Sequence, residues 1–434
     1  MKEYLQQIIK ENKAGKSIGI TSICSANRYV IEASILNAKK QNQFILIEST
    51  SNQVNQYGGY TDMKPEDFKN FVLNTAKSFN FPVDKIILGG DHLGPNAWRD
   101  EASSTAMEKA KVQVAEYIKA GYSKIHLDTS MKLADDGDLD LQLDNTVIAE
   151  RAALLCQTAE NTYKNFKGKG KPIYIIGSDV PPPGGETVYQ DIRVTSPEEV
   201  DETIEITRKA FYKYGLEDAW ERVTAVVVQP GVEFSSSNIF DYCDEKTKKL
   251  IQKIQEKENL AYEAHSTDFQ KKNSLKKMVE NYFAILKVGP WLTFSFREAV
   301  FALSKIEEEL SAKIKSIQLS QIVEIIDEQM KRHPKFWEKY YKGSESEKLF
   351  DRKFSYSDRI RYYWSNRKVI ESLMKLFSNL SVNKIPPALI NQYLPNQYKA
   401  IRENEIENKP IEIVYHKIKE VLEIYNYATS GGNL

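Results

Sequence analysis

Five histidines occur in 434 residues, and three of them stand beside acidic side chains. Asp91 directly precedes His92, Asp128 follows His126 by two positions, and Glu263 precedes His265 by two. A spacing of two puts both members of a pair on one side of an extended strand. Imidazole nitrogens and carboxylate oxygens that converge in this way suit a divalent cation, and the same groups can move protons. A single histidine at a strand end is more often a hydrogen-bonded core residue; three of five at such places is harder to reach by accident. His92, His126 and His265 are the expected metal ligands, for zinc first and for magnesium or manganese as alternatives. Asp91, Asp128 and Glu48 are the candidate acid–base groups. Asp91 leads because it adjoins a ligand, although residue types alone leave open which carboxylates ligate the metal and which carry protons.

A second set of residues suits an anionic substrate. GGDHLGPN (89–96) and KVGP (287–290) hold the small residues that let backbone N–H groups approach an anion. WLTFSFREA then opens a helix whose N-terminus favours phosphate. Ser266, Thr267, Lys287, Gly289 and Arg297 are the expected substrate and phosphate contacts. Lys287 could instead be a Schiff-base nucleophile. VPPPGGE (180–186) and QPGVEF (229–234) look like loops at the same mouth, with no chemistry that either dictates. Neither GxGxxG nor GxxxxGK[ST] occurs, so a nucleotide cofactor finds no support.

Something must bring these scattered residues together. Eight short apolar runs punctuate the first two thirds of the chain: SIGITSIC, QFILIEST, DKIILGGD, SKIHLDTS, PIYIIGSD, VTAVVVQP, LAYEAHST and YFAILKVG. Amphipathic segments such as STAMEKAKVQVAEYIKAG separate them. Buried strands alternating with helices predict a parallel sheet covered on both faces, and a count of eight predicts closure into a (β/α)8 TIM barrel. The α/β class is therefore expected, with a catalytic barrel over 1–310. The strand ends then form one mouth, where His92, His126 and His265 all fall. Residues 311–434 read as an α-helical C-terminal extension. Its aromatic content (Trp337, Tyr340, Tyr341, Tyr362, Tyr363, Trp364) suits a cap over the barrel and a contact with a second subunit, so a homo-oligomer is expected.

Composition narrows the function classes. With 41% hydrophobic and 28% charged residues the chain can bury a large core. Sixty basic residues balance sixty acidic ones, which argues against a nucleic-acid partner. No run is apolar and long enough to span a membrane. Three cysteines without CxxC spacing, and a polar start without a leader pattern, lead to the expectation of a reducing cytoplasm.

The motifs CSAN, IESTSNQVNQYGGYT, ILGGDHLGPN, SKIHLDTSM, AERAALLC, VVVQPGVEF, YEAHSTD, FAILKVGP, SDRIRYYW and QYLP span nearly the whole chain. Together they resemble the tagatose-1,6-bisphosphate aldolase Z-type subunit family, relatives of zinc-dependent class II aldolases with a TIM-barrel fold. The resemblance implies one of two roles. One is a 4-epimerase interconverting fructose 6-phosphate and tagatose 6-phosphate, with a ketose phosphate as partner. The other is a non-catalytic stabilising subunit of a class II aldolase, with the aldolase catalytic subunit as partner; a more distant branch epimerises tagaturonate. By the same resemblance Asp91 and His92 match an acid–base Asp and a ligand His, and His265 resembles a later ligand. His126 lies on an earlier strand than that pattern suggests.

Overall fold

The computed structural model describes residues 2–137, 143–166, 170–178 and 192–431. The VPPPGGE loop expected at the mouth lies outside these residues. All eight expected strands form: β1 (Ile20–Cys24), β2 (Ile45–Thr50), β3 (Ile86–Leu93), β4 (Lys124–Leu127), β5 (Ile173–Ile176), β6 (Val223–Val227), β9 (Ala261–Ala264) and β10 (Phe283–Val288). Between β6 and β9 a short antiparallel pair, β7 (Glu233–Phe234) and β8 (Ile239–Phe240), sits in the QPGVEF loop region. The eight long strands close into a parallel barrel in chain order, with β10 paired back onto β1. The fold is thus the expected (β/α)8 barrel with a helical extension.

Local chemistry explains the crossovers. Asn27 caps the helix Arg28–Gln41 by accepting from the Tyr29 and Val30 amides, and Ser196 with Glu199 forms a capping box at Pro197–Lys213. The helix Ser103–Ala120 ends at Gly121, whose left-handed backbone turns the chain toward β4. Strand residues facing outward pack on these helices in one continuous apolar layer. Inside the barrel, Ile20, Leu46, Ile87, Ile173 and Ile285 form a separate apolar floor. The N-terminal helix Lys2–Lys13 plugs that floor with Leu5, Ile8 and Ile9. The polar interior above this floor has its cavity at the strand C-termini.

The helical extension is woven into the barrel. A boundary at residue 310 falls inside the helix Pro290–Lys313 that follows β10. The last helix, Pro410–Thr429, packs against Arg28–Gln41, Lys272–Glu280 and Pro290–Lys313. It buries Ile413, Val414, Ile418, Leu422 and Tyr425, and the Thr429 carbonyl accepts from the Gly19 amide just before β1. Among the described residues no helix is long and apolar enough to cross a membrane.

Candidate functional site

Above the apolar floor the barrel interior turns ionic. Lys124, fully buried on β4, lies 2.8 Å from both Glu48 of β2 and Glu263 of β9. Lys287 of β10 is 3.3 Å from Glu48, 3.1 Å from Glu263 and in contact with Asp91. Gly89 makes the room: a Cβ there would stand 2.7 Å from the Glu48 side chain of the neighbouring strand. Burial opposes the charge on Lys287, but Asp91, Glu263 and Glu48 hold its ammonium well above the ordinary lysine range. It is therefore a counter-cation, and a Schiff-base nucleophile would need the free amine.

The three histidines meet on top of this layer. Donor atoms of Asp91, His92, His126 and His265 all lie within 4.8 Å of one another. Each imidazole is fixed by a partner on its far side. His92 Nδ1 is 2.7 Å from Asp128 Oδ2, His126 Nε2 is 2.9 Å from the Gly177 carbonyl, and His265 Nε2 is 3.2 Å from Glu263 Oε1. An N–H donated outward at each of these contacts leaves the other nitrogen, His92 Nε2, His126 Nδ1 or His265 Nδ1, as the possible ligand atom, although His126 Nδ1 already accepts from the His92 backbone amide at 3.2 Å. His265 Nδ1 is buried with no hydrogen-bond partner. His126 Nδ1 faces a carboxylate oxygen of Asp91 at 3.0 Å. Gly177 reaches its position with φ +80°, and His92 and Ser266 are themselves left-handed at φ +47° and +52°. Strain of this kind, at non-glycine strand ends, is typical of functional sites.

Electrostatics agree with a cation. The linked cluster holds four carboxylates (Glu48, Glu263, Asp91, Asp128) and two ammonium groups, an excess of two carboxylates before any imidazole charge is counted. Burial works against charge on His92, yet Asp91 and Asp128 push it up to about 9; Nε2 stands where positive charge is wanted. Burial pulls His265 down to about 3, keeping its lone pair free. Burial would raise Asp91, but His92 and Lys287 hold its carboxyl well below the usual range. These donors fit a divalent metal: His92, His126 and His265 would hold it, with Asp91 beside it.

The mouth is a cavity of about 160 Å³, room for one small polar molecule. Of the expected residues Asp91, His92, His265, Asp128, Ser266, Lys287 and Gly289 line it, while His126 stands just behind Asp91. Three expectations need correction. Glu48 is fully buried below the mouth, bound to Ser22 Oγ at 2.7 Å and to the lysines, and is not open to substrate. Thr267 turns away from the cavity and is spent on the Lys287 carbonyl and the Tyr425 hydroxyl. Arg297 lies seven residues into its helix, about 10 Å beyond the N-terminus at 1.5 Å per residue. There it pairs with Asp358 at 3.3 Å. The helix N-terminus itself is filled by the chain: Asp268 accepts from the Gly289 and Trp291 amides at 3.0 and 2.7 Å.

Other residues of the site were not read from the sequence. Lys124, buried beneath the cavity, carried a signal, since it shares parity with His126 of β4 and with Asp128 just beyond it. Asp268, Tyr60, Arg361 and Tyr362 carried none; the last two arrive from the helical extension, far along the chain.

The fold and site together define a closed (β/α)8 barrel protein with three clustered imidazoles and a carboxylate at its mouth. The family model for D-tagatose-1,6-bisphosphate aldolase subunit GatZ/KbaZ-like proteins matches residues 5–430, and the chain belongs to that family. It is 47% identical over 428 residues to the D-tagatose-1,6-bisphosphate aldolase subunit GatZ of Klebsiella pneumoniae, covering 98% of this chain and 99% of that protein. The GatZ subunit of Salmonella dublin is 45% identical, with 98% of each covered. A crystal structure from Sinorhizobium meliloti 1021, named as a probable tagatose 6 phosphate kinase, superposes with a TM-score of 0.86 at 41% identity. That match covers 94% of this chain and all of the other.

Proposed function

We propose that the chain is a divalent-metal-dependent ketohexose-phosphate 4-epimerase, interconverting fructose 6-phosphate and tagatose 6-phosphate by retro-aldol and aldol steps. The observation that carries this reading is the cluster of His92, His126 and His265 beside Asp91, with one donor atom of each within 4.8 Å of the others. In a 2-ketose the carbonyl acidifies C–H bonds at carbons 1 and 3 but not at carbon 4. Inversion at carbon 4 therefore calls for oxidation or for cleavage of the C3–C4 bond. The pocket offers groups suited to cleavage.

Asp91 accepts the proton of the carbon-4 hydroxyl as the C3–C4 bond breaks, and the electron pair of that bond passes to carbon 3 and the C2 carbonyl oxygen. A bound divalent ion would supply the Lewis acidity that favours this charge. The aldehyde fragment turns, carbon 3 adds to its other face, and Asp91 returns the proton to the carbon-4 oxygen. Asp128 orients His92, and Lys287 keeps Asp91 ionised.

The relatives' name favours a second reading, a subunit that supports a separate class II aldolase chain. One experiment separates the two. The pure protein, with zinc and with a chelator in parallel, is incubated with fructose 6-phosphate and followed by NMR. Zinc-dependent appearance of tagatose 6-phosphate supports the epimerase. Its absence, together with stabilisation of an added aldolase catalytic subunit, supports the other role.

A further inference from the structure

We propose that Arg361, carried into the mouth by the C-terminal segment, seats the anionic terminus of the substrate. This deepens the sugar-phosphate reading and rests on it. The helix N-terminus after β10, where barrel proteins often hold phosphate, is occupied by the Asp268 carboxylate. An anion must then find its counter-charge elsewhere in the pocket. Asp91, Asp128 and Asp268 repel it, and Lys287 is already surrounded by three carboxylates.

Arg361 is the guanidinium that lines the cavity. Its hydrogen bonds run to the Ser357 carbonyl, the Asp358 carbonyl at 3.2 Å and the Tyr362 hydroxyl at 3.0 Å, and among the described residues none goes to a carboxylate. The Asp358 carboxylate close by in sequence is hydrogen-bonded to Thr293 at 2.6 Å and paired with Arg297, and it reaches Arg361 only through space. The guanidinium also lies over the Tyr362 ring at 4.5 Å, which aims it. A second observation agrees. Burial would raise the Tyr362 phenol, but the adjoining Arg361 and Arg359 guanidinium groups bring it below the ordinary tyrosine value. The pocket is polarised, with carboxylates and imidazoles at the strand ends and an arginine fork under the C-terminal segment. A ketose with an anionic end matches that polarity, and Arg suits phosphate or carboxylate by its planar fork.

The test is calorimetric titration of the zinc-loaded full chain with fructose 6-phosphate, unphosphorylated fructose and tagaturonate. Arg361→Gln is expected to weaken fructose 6-phosphate binding roughly 10- to 100-fold, leaving zinc content and fructose binding unchanged. Tighter binding of tagaturonate than of fructose 6-phosphate by the wild type, lost in R361Q, identifies the anion as a carboxylate and still supports the subsite. Equal affinity of wild type and R361Q for both anions overturns it, as does an equal loss for fructose. Arg361→Lys keeps the charge and guards against misfolding: it should bind the anion several-fold more tightly than R361Q, and equality of two folded variants overturns the proposal. Binding without turnover would leave this subsite standing while removing the epimerase reading.

Discussion

Asp91 touches two of the histidines and Lys287, and it lines the cavity. Its rivals at the strand ends have other work: Asp128 accepts from Ser130 Oγ at 2.7 Å while fixing His92, and Glu48 lies beneath the mouth. Asp91→Asn keeps shape and hydrogen bonding but loses basicity. Turnover in the epimerase assay should fall by roughly 10²-fold or more, the usual scale for a lost general base, with metal content by elemental analysis unchanged. Wild-type turnover in that variant would remove the assignment, and loss of metal would make Asp91 a ligand. The lysines beneath it are worth most as a set. Removing one partner from a buried ion cluster strands a charge, which typically costs about 3–5 kcal/mol.

Among the elements, the N-terminus of Pro290–Lys313 departs most from what barrels of this kind commonly do. Asp268 satisfies two of its free amides and interacts favourably with the helix dipole. Burial nevertheless pushes the Asp268 carboxyl up to about 6, above the ordinary aspartate value of about 3.9. A carboxyl whose pKa is raised on folding binds more protons in the folded state, so its ionisation lowers stability as pH rises from about 4 to about 6. The full cost above pH 6 is on the order of 3 kcal/mol at 1.36 kcal/mol per pKa unit. Asp268→Asn keeps the amide acceptor and removes the charge. Urea unfolding should show the variant more stable than wild type at pH 8 and nearly equal at pH 4. A stability difference that stayed constant with pH would refute this account.

The whole molecule is held together by chain segments far apart in sequence. The last helix supplies Ile413, Val414, Ile418, Leu422 and Tyr425 to the packing around β1 and the helices flanking it. At about 1.5–3 kcal/mol per buried side chain their contribution is on the order of 10 kcal/mol, as large as the net stability of a typical domain. A chain ending at residue 310 loses this helix together with Arg361. It should be insoluble, or molten with weak near-ultraviolet dichroism. A folded and fully active truncation would show that the extension is dispensable.

Eight apolar runs, the helices between them and the placing of three histidines at strand ends were legible in the sequence, because strand and helix periodicities are local and a closed parallel barrel gathers strand C-termini at one mouth. Lys124 was legible in principle by the same parity that exposed Asp128. Only the tertiary structure decided which carboxylates reach the cavity, since Glu48 and Asp91 are both strand-end carboxylates that differ in depth along neighbouring strands. It also decided that Asp268 fills the helix N-terminus, that Arg297 turns outward, and that Arg361 enters the mouth from beyond the barrel strands. Those outcomes depend on contacts between residues far apart in the chain, and no local pattern in a single sequence records them.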